Sequence, residues 1–517
     1  MDTRPTPPAR RVAGAPGRGL ALAAMLAAGT LLTTDLGALW VALPVLASSL
    51  GATSTELLWI NDGYGLATAA TMILFGSLSD RWGPRRLILA GAAGFLVASV
   101  VAAFAPTPAV LVAARLLLGV SGAAMIPAIL SAITHLYPDE RERHGAIAAW
   151  IAALSLGVGL GPVVGGLLLQ WFWWGAVFLV AVPVMLLVMV AVGRGLRVPA
   201  PEPHAARIDV GGAVLMAVAM FGLVHVVKAV AAHGPGLVEG VVAAVSAVAL
   251  VWFVRHEGRR TDPLVELAVF RSPGFTVALL LLMLTLAAMN GVHSLTPTAV
   301  QMLAGVSPIA AGLAMLPGAV ALAVGSRLTP VVHRRVGPGR TVAAGALAAL
   351  AGLALLVLAT AVSVSGSVPG SVGVLLFAIS AALVLLGLSP MTVLGTAIAV
   401  ESVPAERSGQ AASISQTAYE LGLVLGIAVT GSIGAAVYRA QLAGAGGDVS
   451  ASVLERAGTS YAGGLEVARS DGGPEAVALV RDAFAHGYVA AGTVSAVLTV
   501  VLGLGGLRLL RARAART

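Results

Sequence analysis

Three acidic side chains stand inside long apolar runs of this 517-residue chain: Asp35 between Thr34 and Leu36, Asp62 after Asn61, and Glu420 between Tyr419 and Leu421. Taking a carboxylate out of water favours its neutral form, so an acid in such a run can hold a proton near neutral pH. Neutral when protonated and attractive to a cation when ionised, it can exchange one for the other. Binding one ligand disfavours the other, and that competition is a coupling. Asp35 and Glu420 serve either this exchange or a structural hydrogen bond to a neighbouring helix. Asp62 lies near the end of its run and is either a solvated mouth residue or a contact for a cation. Trp59, Tyr64 and Tyr419 offer aromatic faces to a cation, although Trp59 also suits interfacial anchoring. Arg115 is a charge that cannot deprotonate usefully and needs an acid or a carbonyl partner. On its own it reads as one half of a structural ion pair.

Two further groups of residues suit movement rather than binding. Gly76, Asp80, Arg81, Gly83, Arg85 and Arg86 form a compact charged turn after an apolar run. It reads as a latch that forms in one conformation and breaks in another, or as a plain basic loop. Gly157, Gly161 and Gly165 recur every fourth residue, so they share one helix face and allow close approach. Pro162, beside Gly161 and before Gly165 and Gly166, removes a backbone hydrogen bond and can bend the helix. The group reads as a close-packed hinge that limits proton leak, or as small-residue packing alone. His225, Asn290, His293 and Gln301 are lone polar groups within runs and receive no role.

Such residues need a scaffold, and composition points to one. Hydrophobic residues make up 58% of the chain and charged residues 10%, against about 25% charged in ordinary soluble proteins. The mean hydropathy is +0.95. A soluble enzyme, a disordered chain and a nucleic-acid-binding protein are excluded on these grounds. Continuous apolar runs rather than ~10-residue alternating segments exclude a β-barrel. The expected class is an all-α polytopic membrane protein. Cysteine is absent, so neither a disulfide framework nor a thiolate metal site is expected, and no metal or cofactor is called for.

A membrane helix needs ~20 apolar residues. The chain offers fourteen spans: 20–47, 57–78, 87–104, 109–133, 145–169, 174–193, 209–229, 237–254, 274–302, 308–328, 341–361, 372–398, 408–438 and 485–509. The start resembles a signal peptide, but its apolar run continues past Asp35 to Leu46 and reads as a first membrane helix. Every even-numbered exit is basic: Arg81, Arg85 and Arg86 follow the second span, Arg141 and Arg143 the fourth, and Arg334, Arg335 and Arg340 the tenth. The short odd-numbered exits carry no Lys or Arg. Both termini are therefore expected in the cytoplasm. The net charge of +8 reflects this topology rather than a nucleic-acid partner. The expected order is a cytoplasmic tail (1–19), a six-helix bundle (20–200), two inserted helices (201–260), a second six-helix bundle (261–510) and a cytoplasmic tail (511–517). An extracellular loop is expected at 440–484, with short amphipathic helices at 451–457 and 474–484.

The two bundles echo each other. Gly76 to Arg86 is matched by Gly325 to Arg340, Tyr137-Pro-Asp-Glu-Arg141 by Val403-Pro-Ala-Glu-Arg407, and Leu154 to Gly161 by Tyr419 to Gly426. Repeated bundles with a site between them suit alternating access.

From about residue 20 to 510 the chain resembles the major facilitator superfamily, and within it the fourteen-helix drug:proton antiporters that include quaternary-ammonium and multidrug efflux pumps. Gly76-x-Leu78-x-Asp80-Arg81-x-Gly83-x-Arg85-Arg86 resembles the superfamily's cytoplasmic loop signature. Gly157-x-x-x-Gly161-Pro162-x-x-Gly165-Gly166 resembles the antiporter signature. Asp35 with Ala42-Leu43-Pro44 resembles the first-helix motif of the fourteen-helix group. Trp59-Ile-Asn-Asp62-x-Tyr64 and Ala418-Tyr419-Glu420-Leu421-Gly422 are similar to segments of cationic-biocide exporters. The resemblance implies the major facilitator fold and a proton-path role for Arg115. Some relatives carry an acid on the tenth span and another one turn before Glu420. Here those places hold Ala319 to Val324 and Gln416, which argues against broad dication transport.

The only lysine is Lys228, so the Gly-Lys-Ser/Thr end of a phosphate-cradling loop is missing and ATP hydrolysis is excluded. No enzyme chemistry is expected, and the energy must come from an ion gradient. The expected function is proton-coupled secondary efflux of lipophilic, cationic drugs or biocides by a monomer in the plasma (inner) membrane. Its partners are those substrates, protons and the lipid bilayer. Two alternatives are a dedicated exporter of an endogenous metabolite or antibiotic, and a non-transporting membrane sensor or scaffold.

Overall fold

Helix starts are written locally in this chain. Thr53 and Glu56 form a reciprocal cap at one of them: the Thr53 N–H donates to Glu56 Oε2 at 2.9 Å, and the Glu56 N–H donates to Thr53 Oγ1 at 3.3 Å. Asp139 and Asp209 accept the Glu142 and Gly212 N–H groups at 3.0 and 2.9 Å and open two more helices. The computed structural model describes residues 18–196, 209–260, 263–403, 408–445 and 449–514, which are overwhelmingly helical and contain no strand. The predicted tails at 1–19 and 511–517, and Arg207 and Arg407, lie wholly or in part outside the described residues.

The long helices in chain order are α1 (Arg18–Leu50), α2 (Ser54–Trp82), α3 (Pro84–Ala103), α4 (Pro108–Leu136), α5 (Glu140–Trp171), α6 (Ala176–Gly195) and α7 (Val210–His233). They continue as α8 (Leu237–Glu257), α9 (Pro273–Ala304), α10 (Pro308–Val336), α11 (Pro338–Val364), α12 (Gly370–Glu401), α13 (Ser408–Ala443) and α14 (Gly473–Ala514). Thirteen helices among the described residues are long and apolar enough to cross a membrane. The 29-residue α2 is not one of them, because Asn61 and Asp62 interrupt its apolar run.

The same packing pattern occurs twice. α1 lies along α5, α2 along α4, and α3 against α4 and α6. Correspondingly, α9 lies along α13, α10 along α12, and α11 against α12 and α14. The two sets meet where α5 touches α10 and where α2 touches α13. The turns repeat too: Gly83 and Gly337 have φ of +83° and +82°, and each is followed by a proline that starts the next helix. Glycine tolerates this backbone region where other residues are strained, and proline suits the first helical position.

α7 and α8 pair with each other, and α7 leans on both α2 and α13. An apolar cluster joins Leu66, Ala69 and Ala70 of α2 to Met220 and Val224 of α7 and to Val424 and Ala428 of α13. The α7–α8 pair thus covers the seam between the two sets. The outward face of α8, with Val241, Val245, Val248 and Trp252, is exposed in the isolated chain and suits contact with acyl chains.

One expectation needs correction. The predicted loop 440–484 is much shorter, because α13 runs to Ala443 and α14 begins at Gly473. Residues 474–484 are the first turns of α14 rather than a separate amphipathic helix, and Val480, Ala483 and Phe484 are buried. The physical reason is that a helix pays no penalty for continuing past the apolar zone when a neighbour covers it. The expected helix at 451–457 is present as Ala451–Gly458. Beyond it, the Ser54 N–H donates to the Thr459 carbonyl at 2.9 Å, and the Tyr461 N–H donates to Ser54 Oγ at 3.0 Å.

Candidate functional site

The start of α2 gathers two buried cations. Arg115 of α4 is fully buried; its Nη1 pairs with Asp35 Oδ2, and its Nε donates to the Ile60 carbonyl at 2.9 Å. The guanidinium also lies 5.0 Å from the centre of the Tyr64 ring. Tyr64 in turn donates its hydroxyl to the Leu32 carbonyl at 3.4 Å. A single cluster therefore links α1, α2 and α4. A charge at membrane depth costs roughly 2.5–3.5 kcal/mol on insertion scales, so each member of the pair makes the other tolerable.

The second cation is Lys228. It reaches from α7 to Asp62, with Nζ 2.9 Å from Oδ2, and donates to the Leu58 carbonyl at 3.0 Å. Nζ also sits 4.1 Å from the centre of the Trp59 ring. Asp62 is 1% exposed and Lys228 2%, so Asp62 is not a solvated mouth residue. Sequence reasoning gave Lys228 no role. The available signal was the chain's sole lysine set within Val226-Val227-Lys228-Ala229. The ring of His225 lies 6.2 Å from that of Trp59, so α7 contributes two side chains around one indole.

Glu420 is part-buried on α13 and accepts from Gln416 Nε2 at 3.4 Å, one turn earlier on its own helix. Tyr419 is half-buried beside it. His293 packs edge-on against Trp40 at 5.5 Å between ring centres, and Gln301 Nε2 donates to the Val41 carbonyl at 3.1 Å. These two contacts join α1 to α9.

The small-residue face of α5 is built against α1. A Cβ on Gly157 would stand 2.1 Å from the Thr30 carbonyl oxygen, one on Gly161 2.7 Å from that of Thr34, and one on Gly165 2.7 Å from that of Ala38. Thr30, Thr33 and Thr34 donate their hydroxyls to the carbonyls of Ala153, Leu154 and Gly157. The motif also faces the other set of helices. A Cβ on Gly312 would stand 2.2 Å from the Pro162 carbonyl oxygen, and one on Gly166 2.6 Å from that of Pro308. Pro162 lies inside an α5 assigned as one helix. The echo on α13 is built alike: Cβ atoms on Gly422 and Gly426 would stand 2.5 and 2.4 Å from the carbonyl oxygens of Met283 and Ala287 on α9.

At the charged turn, Arg85 Nη2 donates to the Gly193 carbonyl at the end of α6, at 2.6 Å. Arg81 and Arg86 are exposed, and Gly76 has open space where a Cβ would be. The Asp80 side chain lies outside the described residues. Asp209, His256 and Glu257 bring ligand-type atoms within 4.8 Å of one another. However, His256 Nε2 already bonds Asp209 at 2.9 Å, and the Arg260 guanidinium stands 3.4 Å from the same carboxylate. This is a charged cap that fastens α7 to α8.

Long apolar helices in two matching sets, with buried charge pairs between the helices, are the architecture of a multi-pass membrane protein. The chain belongs to the Major Facilitator Superfamily, whose family model matches residues 25–427; it is a transporter and not an enzyme. It is 36% identical over 423 residues to the multidrug efflux pump LfrA of Mycolicibacterium smegmatis, covering 82% of each chain. It is 32% identical to the methyl viologen resistance protein SmvA of Salmonella typhimurium, covering 88% of this chain and 90% of that one. It is 34% identical to the tetracenomycin C resistance and export protein of Streptomyces glaucescens, covering 78% and 75%. Among solved structures, the inward-facing, unoccupied form of a bacterial homolog of the human lysosomal transporter Spinster matches with a TM-score of 0.67 at 16% identity. That match covers 96% of this chain and 98% of the other.

Proposed function

We propose that the chain is a proton-coupled exporter of lipophilic organic cations, working by alternating access as a monomer in the plasma (inner) membrane. The observation that carries this reading is the buried pair of Asp35 and Arg115, set beside a second acid, Asp62, on the same stretch of α2. Protonation of Asp35 removes the counter-charge of Arg115 and leaves the guanidinium with the Ile60 carbonyl and the Tyr64 face. The pair then breaks, and α1 and α4 are free to shift. A cation reaching an ionised acid does the opposite work to a proton. Proton and cation thus compete for one negative charge, so that proton entry drives cation exit. Exchange of one proton for one monovalent cation moves no net charge, so the pH difference supplies the energy, about 1.4 kcal/mol per pH unit.

In this reading α2 is a crossing helix, since its 29 residues span about 44 Å at ~1.5 Å each. Fourteen crossings put both termini on one side, and the basic exits make that side the cytoplasm. The bundles are then 20–200 and 261–510, with 201–260 inserted. The Val41–Gln301 and Ser54–Thr459 contacts lie at the outer end, which is closed in this conformation. The name of LfrA supports a drug substrate, and that of SmvA supports an organic cation.

Purified protein in proteoliposomes, loaded with tetraphenylphosphonium and subjected to a pH jump, tests the proposal. Wild type should move the cation in step with protons, and Asp35→Asn should not, while still inserting. Unchanged transport by Asp35→Asn sinks it. A second reading, export of a single endogenous antibiotic, is favoured by the relative named for tetracenomycin C export. Resistance profiles of cells with and without the gene separate the two.

A further inference from the structure

The Lys228 ammonium is held as an organic cation would be. It has a carboxylate at 2.9 Å, a backbone carbonyl at 3.0 Å and an indole face at 4.1 Å. These are the three kinds of contact that recognise an alkylammonium: charge, hydrogen bond and cation–π attraction. Apart from that ion pair, both Asp62 carboxylate oxygens are buried without a hydrogen-bond partner among the described residues, as is Asn61 Oδ1 beside them. The cradle has acceptors to spare. The lysine that fills it comes from α7, which with α8 covers the seam between α2 and α13. The same end of α7 is tied to the other set of helices, because Arg439 Nη2 of α13 donates to the Ala231 carbonyl at 2.9 Å.

We infer that Trp59 and Asp62 form a binding site for an organic ammonium or phosphonium ion, with the Leu58 carbonyl accepting from those ions that carry an N–H, and that Lys228 is its tethered resident, displaced by cationic cargo. The inference rests on the reading of the chain as a cation exporter and names one place where the cargo lands. Exchange of one cation for another leaves the Asp62 charge compensated, so a lone buried carboxylate is avoided, while the displaced Lys228 gives its proton up to water and rests as a neutral amine. Displacement also frees the end of α7 from α2 while its Arg439 tie remains. Cargo binding is thereby linked to release of the strap across the seam. A neutral compound of the same shape cannot take over the charge and leaves Lys228 in place.

The sole lysine makes the test direct. An acylating reagent such as acetic anhydride finds amines only at Lys228 and the N-terminus, and peptide mass spectrometry separates these from each other and from any tyrosine ester. In purified wild-type protein the seated ammonium should react slowly. Saturating tetraphenylphosphonium should raise the Lys228 rate at least about tenfold, the gain expected when a group held at least ~90% of the time is released. Neutral triphenylphosphine oxide should leave the rate unchanged, and Asp62→Asn should show the fast rate with no ligand. An unchanged rate, or protection, on adding the cation overturns the inference. The readout is independent of transport. Release of Lys228 without proton-driven efflux sinks the exporter reading alone, whereas efflux with Lys228 still seated sinks this site alone.

Discussion

Arg115 of α4 and Asp35 of α1 share a fully enclosed ion pair, with the guanidinium also fastened to the Ile60 carbonyl of α2. One salt bridge thereby ties three helices through a region where water is scarce. Its removal should be felt unequally. Breaking a buried pair from one side leaves an uncompensated charge and costs about 3–5 kcal/mol. Asp35→Asn and Arg115→Gln should each lower the thermal unfolding temperature in detergent, and the double variant should recover part of that loss. A double-mutant cycle measures it: a coupling of about 0.5–3 kcal/mol is the range for residues in contact, and simple additivity refutes a working pair.

The two faces of the α5 motif predict two different phenotypes. Gly157 packs on Thr30 within one set of helices, whereas Gly312 packs on Pro162 across the seam. Both contacts are with backbone oxygens, which cannot swing aside. Overpacking of this kind costs typically about 1–3 kcal/mol. Gly157→Ala should therefore destabilise the protein in every conformation and lower its unfolding temperature. Gly312→Ala should instead disfavour the arrangement seen here and shift the conformational balance by about 5–150-fold with a smaller change in unfolding temperature. Cysteines introduced at Val41 and Gln301 give the readout, since their cross-linking should fall in Gly312→Ala.

Much of this was legible in the sequence, and the gaps have a common cause. The spacing of Gly157, Gly161 and Gly165 identifies a packing face without a structure, because four-residue periodicity and the absence of side chains leave few other uses. Asp35 and Arg115 are visible as charges that need partners. Their mutual pairing was not legible, because the two residues sit on different helices and nothing local selects one acid among three. Lys228 was missed for the same reason. Its partner lies far away in the chain, and it stands in a helix that the repeat pattern marks as extra. The extent of α14 was missed because the polar composition of 474–484 looks like a loop, while burial against neighbouring helices keeps it helical.

The paired turns give a third prediction. Gly83 and Gly337 hold equivalent places and nearly equal positive φ. With ψ of 144° and 162° both lie close to a region that is essentially glycine-only, where an L-residue with a Cβ is disfavoured by about 1–3 kcal/mol. Gly83→Ala and Gly337→Ala should each lower stability by about that amount, and by similar amounts in the two halves. Unfolding of each variant in mild detergent checks this. A loss at one turn alone contradicts the structural equivalence of the halves.

The charged cap between α7 and α8 predicts a pH dependence. Asp209 stands just before α7, where it accepts from the Gly212 N–H and from His256, with Arg260 nearby. Burial alone would push its carboxyl up, but the Gly212 N–H and the bonds to His256 and Glu257 more than offset this and hold it below the usual carboxylate range. A carboxyl lowered on folding stabilises the folded state at pH values above its unfolded value of about 3.9. That contribution is lost as pH falls through the folded value. Asp209→Ala removes the cap, which typically costs about 1 kcal/mol, together with the ion pairs. The unfolding temperature of the variant should lie below wild type at pH 7, and the gap should narrow as pH falls below about 4. Asp209→Asn keeps a capping oxygen but no charge, so it should restore the pH-independent part alone. A gap that stays constant from pH 7 to pH 3 would mean that the carboxylate charge is idle and only the cap geometry holds α7 to α8.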